Sequence, residues 1–165
     1  MIQLPLDIIN ERTHYYVMLS PKGNYIFETK QGIHYSISFE EETPFGGCSS
    51  YQFIIDKIDR VHSPHDPDVE QTILVLIDEF FRAHLNVLLY ICDTSDGRES
   101  KRNRLFLSWF NKHAQPNRFT IRTAEAFVEG QGFYAAIIVE NRNPKLADII
   151  DDFNQTVEAL TNNKP

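Results

Sequence analysis

The sequence predicts an α+β fold: a mostly antiparallel sheet of about six or seven strands with three helices. Three observations predict it. Ile33, Tyr35, Ile37 and Phe39 alternate with polar neighbours over residues 33–40, the period of a strand with one buried face. Residues 68–84, and the segment that follows Pro144, repeat apolar side chains every three or four positions, the period of an amphipathic helix. Between them Val87-Leu88-Leu89-Tyr90-Ile91-Cys92 is apolar almost without a break, as suits a central strand buried on both faces.

The elements follow in order. Residues 15–20 and 25–30 read as strands about the turn Pro21-Lys22-Gly23-Asn24. Gln31-Gly32 turns the chain into the alternating strand at 33–40. Residues 40–50, EEETPFGGCSS, read as a loop leading to a fourth strand at 51–59. Pro64 and Pro67 make the next segment irregular, with Asp66 as N-cap and Pro67 at the first helical position of a helix over 68–84. Val69, Ile73, Leu76, Ile77, Phe80 and Phe81 form its apolar stripe. The apolar strand at 87–92 leads into a second helix at 97–112. Two strands at 118–127 and 133–140 are joined by a turn at VEGQG. Asn143-Pro144 opens a final helix striped by Leu146, Ile149, Ile150, Phe153, Val157 and Leu160. There is no repeat, no low-complexity stretch and no linker, so residues 1–165 are expected to form a single domain.

Composition narrows the function. A hydrophobic share of 42% against 24% charged residues is that of a globular chain. A net charge of −7 argues against nucleic acid, whose phosphates need a basic face. The acidic runs at Glu40–Glu42 and Asp148–Asp152 suit either solubility or a basic protein partner. The N-terminus, MIQLPLDIINER, lacks a basic region and carries Asp7 within its short apolar stretch, unlike a signal peptide. No apolar run approaches the roughly 18 residues that cross a membrane. Two cysteines, Cys48 and Cys92, fit a reducing compartment, with Cys92 as a buried thiol, and the chain is expected to be cytoplasmic.

One stretch stands out: CDTSDGRESKRNRLFLSWF, residues 92–110. Asp96 with Glu99 three residues later fits a capping box that starts the second helix. At 100° per residue Arg98, Arg102, Leu105 and Trp109 share one narrow arc, bordered by Phe106 and Phe110. Two arginines therefore extend an apolar face toward the helix start, and a charge placed there needs partners. Asp93, Asp96 and Glu99 are close in sequence. The five residues Asp93, Asp96, Arg98, Glu99 and Arg102 form either a salt-bridged structural clamp or an anion-binding site at the carboxyl end of a central strand.

Two resemblances bear on these residues. The order meander, helix, strand, helix, strand, strand over residues 33–140 resembles that of the acyl-CoA-dependent N-acetyltransferases. In that family the turn from the fourth core strand into the next helix is Gly-rich and holds pyrophosphate on bare N–H groups. Here that turn, Arg60 to Asp68, has no glycine, two prolines and two acids. Gly23-Asn24-Tyr25, Gly32 with Tyr35, Tyr90-Ile91-Cys92-Asp93, Asp96-Gly97-Arg98, Arg102, Arg104-Leu105-Phe106 and Trp109-Phe110 are also similar to the recurring elements of an uncharacterised family of small bacterial proteins.

Other constellations carry less. His62, His65, Asp66 and Asp68 are ligand types, but their spacing matches no closed metal site, and they read as solvated loop residues. Cys48 has no local base to make it a nucleophile. Gly130-Gln131-Gly132 reads as a hairpin turn. No nucleotide-binding, hydrolase or DNA-recognition motif is present. No cofactor and no metal are expected. The leading expectation is a non-catalytic binding or protein-interaction module whose partner is another protein, with neither nucleic acid nor membrane and an open oligomeric state. The alternative is a divergent acyltransferase-like enzyme, or a small-anion-binding protein, using Arg98 and Arg102.

Overall fold

A computed structural model describes residues 2–59, 61, 64–93, 107–113 and 115–162. Its elements are α1 (Leu6–Arg12), β1 (Val17–Leu19), β2 (Tyr25–Glu28), β3 (His34–Phe45), β4 (Cys48–Lys57), α2 (Pro67–Ala83), β5 (Val87–Asp93), α3 (residues 107–113), β6 (Phe119–Val128), β7 (Gln131–Glu140) and α4 (Leu146–Asn162). The seven strands form one mostly antiparallel sheet in the order β1-β2-β3-β4-β5-β7-β6, with β4 parallel to β5. The fold is α+β. Among the described residues it has four helices where the sequence predicts three. The addition is α1, whose seven residues are too few to show a helical period and whose burial rests on Ile9 alone.

The chain divides into two compact units, Met1–Glu40 with Phe53–His84, and Glu41–Gln52 with Leu85–Pro165. In the first, β1 and β3 pair antiparallel with β2, and the register sets Tyr25 opposite Ile37 and Phe27 opposite Tyr35. Aromatic rings explain much of the high Phe and Tyr count. Phe27 stacks between Tyr15 and Tyr35 at 5.9 and 5.4 Å, and Phe39 stacks on Phe80 at 5.0 Å beside Phe53. Such offset contacts add to the area they bury. Tyr25 is buried but keeps its polar end satisfied, because its hydroxyl accepts the Leu4 N–H at 2.8 Å.

Helix α2 begins as its sequence requires. The Asp66 carboxylate accepts the Asp68 N–H at 2.9 Å, and Pro67, lacking an N–H, stands in the first turn. The helix carries one buried acid. Glu79 is 1% exposed and binds the Arg12 guanidinium at 2.6 Å, which also reaches Asp78 at 2.7 Å. The last residue of α1 therefore closes over α2, with Gln71 Nε2 donating to the Arg12 carbonyl.

The second unit departs from the predicted loop at residues 40–50. The strand β3 instead runs on through Pro44 to Phe45, and β4 starts at Cys48. The two-residue turn Gly46-Gly47 makes this possible, with φ of +56° and +74°, the left-handed values that hairpin turns of this length demand. Glycine is needed at 46 for a second reason. A Cβ there would lie 2.6 Å from the Asp148 carbonyl carbon and the Ile149 nitrogen of α4. The Gly46 N–H donates to Asp152 Oδ2 at 2.7 Å, and Lys145 Nζ donates to the Gly47 carbonyl at 2.8 Å, so the turn sits on the first turns of α4.

Strand β5 is covered on both sides, with Val87, Leu88, Leu89 and Tyr90 all buried. The core under α4 joins Cys48, Val87, Leu89, Ile137, Val139, Ile149 and Phe153. Leu107 and Phe110 of α3 are also buried, with Phe110 5.3 Å from Phe119. The predicted stripe of α4 holds through Val157 and ends there, since Leu160 is exposed.

Two substitutions test these contacts by urea unfolding. Gly46→Ala combines a strained φ with a backbone clash and is expected to cost about 2 kcal/mol or more. Arg12→Ala leaves Glu79 buried beside only the more distant Arg82, at 3.7 Å, and is expected to cost about 2 kcal/mol, below the usual figure for a buried pair because Arg12 is itself partly exposed.

Candidate binding surface along β6

Of the five residues singled out in the sequence, Asp93 ends β5, where it pairs with Phe133 of β7. Asp96, Arg98, Glu99 and Arg102 lie outside the described residues, and the capping box and arginine arc lie with them. In the described part of α3, burial centres on Leu107 and Phe110, and Trp109 is half-buried, with its ring 5.2 Å from His113.

The acids and histidines near α2 are engaged locally. Asp66 caps the helix and accepts the Tyr15 hydroxyl; His14 Nδ1 lies 2.6 Å from Asp68, and His65 lies 3.2 Å from Glu70. His62 lies outside the described residues. Among the described residues no three His, Cys, Asp or Glu side chains are grouped to hold a metal ion. Burial, with help from Asp66, pushes the Tyr15 phenol up to about 12. The backbone N–H of His34, and then its ring, hold Asp59 below its ordinary value.

Two polar clusters in the second unit escape a reading of the sequence. Glu140 is buried and accepts from Arg118 Nε at 3.3 Å and Arg142 Nε at 3.1 Å, so it binds the start of β6 to the end of β7. The buried Asn143 accepts the Lys145 N–H at 2.9 Å and donates to the Leu85 carbonyl at 3.2 Å. The acidic run in α4 is split: Asp148 and Asp151 are exposed, whereas Asp152 holds Gly46.

The sheet ends in two unlike strands. β1 is three residues long, and β6 is ten. Its pairing with β7 is unbroken from Phe119↔Glu140 to Val128↔Gln131, with no bulge to twist the edge away. The Asn141 N–H donates to the Arg118 carbonyl at 2.8 Å. Because antiparallel hydrogen-bonded pairs alternate, even-numbered residues of β6 direct their N–H and C=O toward β7. Phe119, Ile121, Thr123, Glu125 and Phe127 direct theirs outward. The Arg122 guanidinium lies along this edge and donates to the Ile121 carbonyl at 3.1 Å. Among the described residues no strand pairs with the outer side of β6.

A cleft of about 510 Å³ runs beside the first half of the strand, between Leu107, Ser108 and Asn111 of α3, residues 119–123, and Tyr134 of β7. At the other end Phe127 is 56% exposed and pairs with Gly132. Long strand edges of this kind are what added strands pair with.

Fold and edge together define an α+β chain in which, among the described residues, one long strand edge is unpaired. The chain belongs to the family of unknown function DUF6169, which matches residues 65–155, more than half of its length. No curated protein and no solved structure matches it.

Three measurements check the local electrostatics. Asp66→Ala removes the α2 cap and the Tyr15 partner together and is expected to cost about 1–2 kcal/mol. The Asp59 contribution is present above the unfolded carboxylate value and is lost as pH falls through the lower folded value, so Asp59→Asn is expected to flatten the acid limb of a stability–pH curve. The Tyr15 contribution is present below the ordinary phenol value and is lost as pH rises through about 12. Tyr15→Phe is expected to remove a late-ionising phenol from an ultraviolet titration.

Proposed function

We propose that the chain is a non-catalytic, cytoplasmic binding module that engages another polypeptide along the outer edge of β6. The observation that carries this reading is the regularity of that edge: ten residues in unbroken register, with five directing N–H and C=O groups outward. Strand addition draws its affinity from such main-chain groups and its specificity from neighbouring pockets. The cleft beside residues 119–123 supplies such a pocket, lined by apolar Leu107 and Phe119 and by polar Ser108 and Asn111. The exposed acids of α4, which carries no Lys or Arg, suit a partner with basic flanks.

A photoreactive residue placed at Ile121 is expected to cross-link polypeptide in cells far more than one placed at the exposed Thr156 of α4. Equal labelling at the two positions would sink the reading. Thr123→Pro is expected to abolish the Ile121 adduct without disturbing the fold, because the Thr123 N–H points outward and takes no part in the β6–β7 ladder.

The second reading is an acyltransferase-like enzyme, or a small-anion binder, with Arg98 and Arg102 holding the anion. What favours it is the parallel pair β4 and β5, in register at Ser50↔Val87, Tyr51↔Leu88 and Gln52↔Leu89, set among antiparallel neighbours. Against it stand Asp66 and Asp68, whose carboxylates occupy the start of α2 where an acyl-CoA pyrophosphate would bind. Thermal melting with acetyl-CoA or phosphate separates the readings. At about 100 times its dissociation constant a ligand adds about 2.7 kcal/mol, and Arg102→Ala is expected to abolish that shift. Melting unchanged by either compound removes the second reading.

A further inference from the structure

We infer that α1 guards the β1 edge of the sheet: its Asn10 amide stands in for a neighbouring strand and closes β1 to strand addition. The inference concerns the first unit alone and does not depend on what β6 binds.

Strand β1 is an edge in need of such a device. Residues 15–20, YYVMLS, carry no charge, and Tyr16, Met18 and Leu19 are 71%, 54% and 43% exposed. A six-residue aromatic and apolar run without charge, placed at a sheet edge, is a template for pairing with other chains. Such edges are commonly blunted by Lys, Pro or a bulge within the strand. β1 has none of these. It is Val17-Met18-Leu19, paired with β2 without interruption from Val17↔Phe27 to Leu19↔Tyr25. Pro21 and Lys22 come only in the turn after it.

The protection comes from a side chain. The Ser20 N–H donates to the Asn24 carbonyl at 2.8 Å. Even-numbered residues here therefore direct their main-chain groups toward β2, and odd-numbered ones direct theirs outward. At Val17 both outward groups are taken. Asn10 Nδ2 donates to the Val17 carbonyl at 2.9 Å, and the Val17 N–H donates to Asn10 Oδ1 at 2.7 Å. A carboxamide carries the donor and acceptor of a peptide group, so this is the paired exchange that a strand residue would make. Two residues earlier the Tyr15 carbonyl accepts the Thr13 hydroxyl at 2.7 Å. An incoming strand is left at most the groups of Leu19, next to the turn, which are too few for a ladder.

The rest of α1 holds the amide in place. Ile9 is fully buried, and its carbonyl accepts the Thr13 N–H at 2.9 Å. Arg12 is fastened to Asp78 and Glu79 of α2. Gln71 of α2 repeats the device on the connecting residues, donating to the Arg12 carbonyl at 2.8 Å and accepting the His14 N–H at 2.9 Å. Two carboxamides thus take the place of strand partners along residues 12–17. A helix of seven residues is too short to hold itself; these anchors keep it where Asn10 meets Val17.

Hydrogen exchange and sedimentation velocity test the guard. In the wild-type chain the Val17 amide is expected to be protected although it points out of the sheet. Exchange there at the rate of an open peptide group overturns the inference without any variant. In Asn10→Ala the Val17 amide is expected to exchange about tenfold faster, the effect of losing one hydrogen bond. The Met18 amide, which belongs to the β1–β2 ladder, is expected to keep its rate. Equal acceleration at both makes Asn10 a support of the whole strand and overturns the guard. Asn10→Ala is also expected to form larger species than the wild-type chain as concentration rises, and adding Met18→Lys is expected to restore the wild-type distribution, because a charge on an exposed edge blocks pairing. A variant that sediments as the wild type, or association that Met18→Lys leaves in place, overturns the inference by showing that the amide does not keep this edge closed.

Discussion

In the second unit one constraint governs the rest: β7 is paired along both of its edges. It meets β5 from Leu88↔Ile138 to Asp93↔Phe133, and β6 along all ten of that strand's residues. A strand held on both sides cannot slip, because a shift of one residue would turn every side chain to the opposite face. Its parity therefore fixes that of its neighbours. Ile137 and Val139 face α4 with Leu89 and Val87, and Ala136 and Ile138 face the other way with Leu88 and Tyr90. The same parity decides which backbone groups of β6 turn outward, so the open edge is a consequence of how the core is packed.

The turn at Gly46-Gly47 protects that parity from the other side. Its backbone lies against α4 so closely that a side chain at 46 would displace the helix. With Asp152, Lys145 and Asn143 binding the turn and the Leu85 carbonyl, the start of α4 is tied to the chain ends flanking β4 and β5. Ile149 and Phe153 then drop into the core, and helix position does not depend on hydrophobic contact alone. Directional bonds set the placement; burial supplies most of the driving force.

Residues whose environment is local were legible in the sequence. The alternation of Ile33 to Phe39, the Asp66-Pro67 start of α2 and the two-sided burial of β5 follow from period and capping, which neighbours along the chain decide. The hairpin at residues 40–50 was not legible, because Glu40-Glu41-Glu42 and Pro44 argue for a loop. They are tolerated in β3 because several of these side chains face solvent. Helix α1 was hidden by its shortness. The open edge was hidden for a deeper reason: FTIRTAEAFV does not say whether a strand is central or terminal, since that depends on which strands come to lie beside it. The unusual feature of the stretch was Phe127, too large and apolar for a solvent-facing position next to a turn. The Glu140 clamp is equally non-local, linking Arg118 and Arg142 across a hairpin.

Charge and family span bear on where a shared activity belongs. The net charge of −7 points to a partner less strongly than it suggests, because the carboxylates best placed to act are already occupied: Glu79 by Arg12, Glu140 by two arginines, Asp66 by a helix start and a phenol, and Asp152 by Gly46. The span matched by the family, 65–155, takes in α2, β5, β6, β7 and most of α4, and leaves out β1 to β4 with their aromatic stack. The elements shared with the family lie within that span. The interior strands there, β5 and β7, are committed to pairing on both edges. Among its described residues the span presents the outer side of β6 with the cleft beside α3, and the exposed acids of α4. Main-chain groups on a strand edge impose direction and register on whatever binds them, whereas a solvated acidic face imposes neither. The proposed recognition is placed on β6 for that reason.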